Sequence, residues 1–167
     1  MRTAGEELRA HGYTDAAMTS FDQAIQWYRS RPAEEMDPLR SAYGLTLYDA
    51  RRWEEAKSIF EELAKKFSGN IWYQRYVGCI AARQGDRGKA LKVSEWLKNL
   101  KQPYLFGEHT YYRACIAAIL GEKDQAVTLL KDSFLQGYTY GLYLHRDFDF
   151  ESLWDYPPFK ELLKPKG

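Results

Sequence analysis

Residues 52–63 read RWEEAKSIFEEL and residues 12–24 read GYTDAAMTSFDQA, so two parts of the chain share one pattern of small and large residues. In both, an alanine is followed four residues later by phenylalanine, which is the spacing of one face of an α-helix. Two further segments, 85–90 (GDRGKA) and 121–126 (GEKDQA), open in the same way. The shared alanines are Ala17, Ala56, Ala90 and Ala126, at intervals of 39, 34 and 36 residues. Self-similarity at such a period predicts a helical repeat.

A second set of small residues lies twelve positions before these alanines, where a first helix must let its partner approach closely. They are Gly5, Gly44, Gly78 and Ala114. Turn residues fall between the two sets, and a glycine there suits the left-handed conformation that ends many helices. The turns are Gly12, Arg51-Arg52, Gly85-Asp86 and Gly121-Glu122. Each repeat is therefore predicted to be two helices joined by a short turn, and the fold class to be all-α.

These positions resemble the tetratricopeptide repeat (TPR) family, whose pattern combines small residues, an aromatic residue and a turn glycine at such offsets. The resemblance implies a right-handed superhelical array of antiparallel helix pairs, a TPR-like α-α solenoid, in a single domain over residues 1–167. It places repeats at about 1–31, 37–70, 71–104 and 107–140, followed by a C-terminal capping segment at 141–167.

The repeat pattern stops after Tyr140. The sequence DFDFESL at 147–153, with Pro157-Pro-Phe159, is similar to the end-of-group TPR segment that closes many bacterial arrays. Two short helices are predicted here, with Asp149 capping the first and the two prolines opening the second. Because such segments commonly belong to bacterial regulators, the resemblance implies a regulatory or signalling context.

The charge balance argues against nucleic acid as a direct partner. Lys and Arg number 24 against 23 for Asp and Glu, so the net charge is +1 and no strong field attracts a polyanion. No apolar run approaches the roughly 20 residues of a membrane-spanning helix, and the N-terminus has no signal-peptide stretch. The sequence therefore predicts a cytoplasmic protein with no membrane contact in this segment.

Catalytic motifs are missing from the sequence. His145-Arg146-Asp147 resembles a kinase catalytic loop, but that loop needs an Asn five residues after the Asp, and position 152 is Ser. A Gly-x-Ser-x-Gly motif for nucleophilic catalysis does not occur. The prediction is that the protein is not an enzyme.

Metal and cofactor motifs are missing as well. Asp147, Asp149 and Glu151 alternate without the further oxygen ligands and the central glycine of an EF-hand, so capping and solvation account for them. Cys79 and Cys115 fit no metal-ligand spacing and are predicted to be small buried hydrophobic residues. No cofactor and no metal is expected.

The inner wall of the array is the remaining candidate for function. In the family it resembles, the first helix of each repeat lines that wall. The candidate partner-binding residues are Tyr48, Asp49, Trp72, Arg75, Arg83 and Tyr111. Aromatic rings and arginines commonly anchor a bound peptide by ring burial and charge-assisted hydrogen bonds. The alternative carries equal weight: the rings pack between repeats and the arginines are only solvated.

The predicted function is a non-catalytic protein–protein interaction module that binds a peptide or partner domain in its concave groove. Two other functions stay open. The chain could be a structural or dimerisation arm of a larger multidomain regulator, which would make self-association its role. It could also be a small-molecule sensor, with an aromatic pocket near Tyr111, Tyr112 and Tyr143.

Overall fold

A computed structural model describes residues 1–145 and 147–164, apart from the side chains of residues 142 and 143. The described residues form helices, turns and loops and contain no strand, so the prediction of an all-α fold is confirmed. By its internal contacts the chain divides into two compact units, Met1–Gly69 and Asn70–Gly167.

The first unit contains four α-helices that pack in chain order. They are α1 (Arg2–Ala10), α2 (Thr14–Arg29), α3 (Met36–Asp49) and α4 (Trp53–Lys66), with a 3₁₀ turn at Ala33–Glu35. α1 packs on α2, α2 on α3 and α3 on α4. Apolar side chains one helical turn apart fill the space between them, among them the fully buried Phe21, Ile25 and Phe60.

The second unit adds two further helix pairs and the C-terminal tail. Its helices are α5 (Ile71–Arg83), α6 (Arg87–Lys98), α7 (Glu108–Ile119) and α8 (Lys123–Leu135), followed by 3₁₀ segments at Leu142–His145 and Phe148–Leu153 and by α9 (Pro157–Leu163). α7 is the central element, since it contacts α5, α6, α8 and the 3₁₀ helix Phe148–Leu153. The tail therefore packs on the same helix that joins the two pairs.

The four predicted turns share one backbone geometry. A residue with positive φ ends the first helix of each pair, and the next residue donates a 2.9 Å hydrogen bond to a carbonyl five positions back. The four positive-φ residues are Gly12, Arg51, Gly85 and Gly121. This is the Schellman pattern, which satisfies carbonyls that would otherwise lack partners at the helix end. The predicted role of these turns is confirmed.

The predicted close approach of paired helices is also found. A Cβ atom added to Gly5 would lie 2.5 Å from Phe21, and one added to Gly78 would lie 2.6 Å from Ile116 and 2.9 Å from Val93. Neither position has space for a larger residue. The alanines of the second helices are buried as well, including Ala56 and Ala126, which are fully enclosed.

The start of the tail differs from the sequence prediction in one detail. Asp147, not Asp149, caps the 3₁₀ helix Phe148–Leu153, because its Oδ1 accepts a 3.0 Å hydrogen bond from the backbone N–H of Asp149. The predicted cap at Asp149 is wrong, since the carboxylate of Asp149 is buried and bound elsewhere. Pro157 opens α9 as predicted, at a position where its missing N–H leaves no bond unmade.

Candidate functional site

Two arginines of α5 converge on one buried carboxylate of the tail. The Nη2 atoms of Arg75 and Arg83 donate to Asp149 at 2.8 and 3.3 Å. Eight residues separate the two arginines, a little over two helical turns, so both side chains leave α5 on the same side. The side chain of Asp149 is 1% exposed and those of Arg75 and Arg83 are 12% and 16% exposed. This ion-pair network therefore lies in the interior of the second unit.

The backbone and the second carboxylate of the tail are bound by the same groups. Arg83 Nη2 also donates to the carbonyl of Phe148 at 3.0 Å. Asp147 accepts a 3.1 Å bond from Arg75 Nη2 and a 2.7 Å bond from the hydroxyl of Tyr111 on α7. We call the surface formed by Arg75, Arg83 and Tyr111 the α5–α7 face. It holds both acidic side chains and one main-chain carbonyl at the start of the 3₁₀ helix Phe148–Leu153.

Aromatic rings surround the buried guanidinium of Arg75. Its Cζ lies 5.1 Å from the ring centroid of Tyr76, 5.1 Å from that of Tyr112 and 5.8 Å from that of Tyr111. Faces of aromatic rings attract a cation, most strongly where water is excluded. Tyr111 in turn stacks on Tyr138, with 4.3 Å between centroids. The rings thus both stabilise the charge and fix its position.

Burial and charge act in opposite directions on the pKa values of this network. Burial lowers the pKa of Arg75, but electrostatic interactions with Tyr76, Cys115 and the two carboxylates keep it well above its ordinary value. Burial raises the pKa of Asp147, against the effect of Arg75. The guanidinium of Arg75 therefore stays charged, and the carboxylates of Asp147 and Asp149 compensate its charge.

The two cysteines beside the network are unreactive thiols. Cys79 and Cys115 are free and fully buried, which confirms the prediction that they are core residues. Burial raises both thiol pKa values well above the usual range. Since the thiolate is the form that attacks substrates and binds metals, neither side chain is poised for that chemistry.

Three potential metal ligands lie close together here. One ligand atom each from Cys115, Asp147 and Asp149 lies within 4.8 Å of the others. Both carboxylates already accept hydrogen bonds from Arg75, however, and a divalent cation would stand beside that buried guanidinium. Like charges at this distance repel strongly in a low dielectric. The arrangement is that of a buried ion-pair network, in which the guanidinium is the cation.

A similar but separate network lies in the first unit. Asp49, at the end of α3, is bound by Arg2 at 3.2 Å and by Arg9 at 3.4 Å, and Arg9 Nη1 also donates to the Asp49 carbonyl at 2.8 Å. Burial, and to a smaller extent the negative charge of the nearby Glu6, raises the pKa of this carboxyl to about 6. Arg2 stands three residues before Gly5, as Arg75 stands three before Gly78, so the two networks use one repeat position.

The six predicted binding residues are thus distributed as follows. Arg75, Arg83 and Tyr111 come together around the tail. Trp72 is half-buried in the first turn of α5, where its ring meets those of Tyr73 and Tyr76. In the first unit Tyr48 is buried with its ring against Trp53, at 5.2 Å between centroids, and Asp49 is the buried carboxylate described above.

The sequence interpretation missed that the arginines of α5 bind Asp147 and Asp149. It assigned them to capping and solvation. Asp147 does cap the 3₁₀ helix, whereas the burial of Asp149 contradicts that assignment for Asp149. The available signal was the pair of acids two residues apart, matched by two arginines on one side of a single helix. Three sequence predictions lie outside the described residues: the side chain of Tyr143, Arg146 of the kinase-like tripeptide, and positions 165–167 of the capping segment.

Comparison with family models, with curated proteins and with solved structures finds no match for this chain. The TPR resemblance therefore stays a prediction from the residues. Within 1–145 and 147–164, no helix combines the length and the apolar character needed to cross a bilayer.

Proposed function

We propose that this chain is a non-catalytic protein-interaction module, built as a TPR-like right-handed array of helix pairs, that binds a peptide segment of a partner protein. The repeated architecture supports the first part. Four helix pairs have matching Schellman turns, and three of them carry a glycine where the paired helices approach closely. In solenoid proteins, helix pairs of this kind bury their apolar sides only against neighbouring pairs.

The α5–α7 face is the observation that carries the binding function. It already binds the start of the 3₁₀ helix Phe148–Leu153 through two carboxylates and a carbonyl, groups that an acidic peptide also offers. Arginine is suited to this task because its planar guanidinium can serve several oxygens at once. A partner segment with the same groups would accept hydrogen bonds from the same donors, Arg75, Arg83 and Tyr111.

The chemistry of the site supports a binding role over catalysis. Its carboxylates are engaged by guanidinium groups, and its thiols are buried with raised pKa values. A general base must reach the proton that it removes, and a nucleophile must reach its substrate. Among the described residues of this site, the thiols are buried away from any substrate, and both carboxylates already accept hydrogen bonds. The regulatory context and the cytoplasmic location rest on the sequence alone and stay predictions.

The test uses the full chain carrying Asp147→Asn/Asp149→Asn, which weakens the tail's own hold on the face, and an array of immobilised peptides of graded acidity. Adding Arg83→Gln to this chain should lower its affinity for every acidic peptide that it binds by at least about tenfold, since a charge-assisted bond contributes roughly 1.5–3 kcal/mol. Arg87→Gln is the matched control, because Arg87 begins the next helix and pairs with Glu122 at the surface. Equal binding with and without Arg83→Gln in this chain would refute the proposed face.

Self-association is a second candidate function, favoured by a cluster of exposed apolar side chains. Tyr104 is 83% exposed and Phe106 62% exposed on the loop before α7, and both have positive φ. Large exposed apolar groups often mark an interface. In sedimentation equilibrium, a dimer that dissociates on Tyr104→Ser/Phe106→Ser substitution would support this role. A monomer at all concentrations would exclude it.

A further inference from the structure

Each residue of the segment 147–150 has its own set of contacts on the second unit. Asp147 and Asp149 are held by the α5–α7 face as described above. Phe148 lies under the guanidinium of Arg83, with 4.8 Å from its ring centroid to Cζ. Phe150 is fully buried, and its ring meets Tyr111 edge-on at 5.5 Å. The contacts therefore favour a segment in which acidic and aromatic residues alternate over one that is merely negatively charged.

The buried guanidinium of Arg75 restricts what can occupy this position. A charge removed from water must be compensated by an opposite charge and by hydrogen bonds. A segment that lacked carboxylates would leave the guanidinium without a compensating charge. Carboxylates two residues apart fit, because both reach the same Nη2 atom of Arg75.

From these contacts we infer the ligand class: the α5–α7 face selects segments of the form Asp-aromatic-Asp-aromatic, and residues 147–150 are a resident ligand of the same class. This inference rests on the proposed function and specifies its partner. A partner segment of that sequence would compete with the resident one for the same donors. The tail thereby sets the threshold of affinity that a partner must exceed.

The competition has a calculable size. A short tether presents a ligand at an effective concentration of about 1 mM. When the free and the tethered segment have equal intrinsic affinity, the free one reaches half-occupancy only near that concentration. Weakening the tethered copy should therefore lower the apparent Kd of a free peptide about tenfold to a hundredfold.

The decisive variant is Asp147→Asn/Asp149→Asn in the full chain, which removes the two charges of the resident ligand and preserves its shape. The probe is a fluorescein-labelled peptide with the sequence of residues 144–154, LHRDFDFESLW. Fluorescence anisotropy should give an apparent Kd at least tenfold lower for this variant than for the unsubstituted chain. Asp155→Asn, at a fully exposed carboxylate of the same tail, should bind like the unsubstituted chain.

Two control peptides test the sequence class. Replacing both Asp by Asn in the peptide, or both Phe by Ala, should lower its affinity for the double variant at least tenfold. Adding Arg83→Gln to the double variant should have the same effect on the unmodified peptide. If the folded double variant does not bind the peptide, the inferred ligand class is wrong. The proposed function is refuted by a different result, namely that Arg83→Gln does not change binding to the peptide array.

A measurement on the unsubstituted chain covers the case in which the double variant does not fold. Unlabelled peptide at several millimolar should displace the resident segment and speed hydrogen exchange at the amides of Asp149 and Phe150, which now bond to Asp147. The Asn-substituted peptide should leave these rates unchanged. Unchanged exchange with both peptides would overturn the inference.

Discussion

Replacing Asp149 by asparagine removes one carboxylate from two buried guanidinium groups. Breaking a buried ion pair by neutralising one partner costs about 3–5 kcal/mol, because the other charge remains desolvated. Asp147 still compensates Arg75 in this variant, whereas Arg83 loses its bond to the Asp149 carboxylate and retains its bond to the carbonyl of Phe148. We therefore expect the lower end of the range, about 3 kcal/mol, as the loss in free energy of unfolding.

Urea unfolding followed by circular dichroism measures this loss as a shift of the midpoint at constant slope. Asp155→Asn is the matched control, since its carboxylate is exposed and pairs with Lys160 at 3.0 Å; a change within about 0.5 kcal/mol is expected. Combining Asp149→Asn with Arg83→Met should cost less than the sum of the single changes, by about 1–3 kcal/mol. An Asp149 variant as stable as the Asp155 control would refute the reasoning.

Two further predictions concern pH and packing. Because the folded-state pKa of Asp49 is raised from 3.8 to about 6, its stabilising contribution is complete below about pH 4 and is lost as the pH rises through 6. The urea midpoint should fall across that window, by up to about 3 kcal/mol in stability, and Asp49→Asn should lack this step. Gly78→Ala should destabilise by about 1–3 kcal/mol, since the new methyl would lie 2.6 Å from Ile116. In the same unfolding assay Gly88→Ala should be neutral or stabilising by up to about 1 kcal/mol, because its nearest contact would be 3.7 Å away.

The helix pairs were predictable because their signals are local. A glycine that must adopt positive φ, such as Gly85, and a glycine that must allow a close helix approach, such as Gly78, each constrain one sequence position directly. Repetition then adds independent copies of the same signal along the chain. The helical apolar faces and the turns of the fold follow from these two kinds of position.

The ion-pair networks were not predictable in the same way, because their partners are distant in sequence. Arg75 and Asp149 are 74 residues apart, and Arg2 and Asp49 are 47 apart. No local pattern specifies which acid a given arginine meets, and acids near a helix start are most simply read as caps. The sequence predicted Arg75 and Arg83 as binding residues. It could not identify the segment that they bind, because tertiary packing brings that segment to them.

The charged network is better explained by register than by stability. Well-packed apolar residues in place of a buried ion pair are often as stable or more so. In the tail, however, acids and rings alternate, so a slip by one residue would put a ring in the place of each carboxylate and a carboxylate in the place of the buried Phe150 ring. A variant with all four charges removed, Arg75→Met/Arg83→Met/Asp147→Leu/Asp149→Leu, should therefore keep its helical circular dichroism and its urea midpoint. Its amides from 148 to 153 should nevertheless exchange faster with solvent, as several registers become similar in energy. Equally slow exchange there would mean that Phe150, Leu153 and the rest of the apolar contacts fix the register alone.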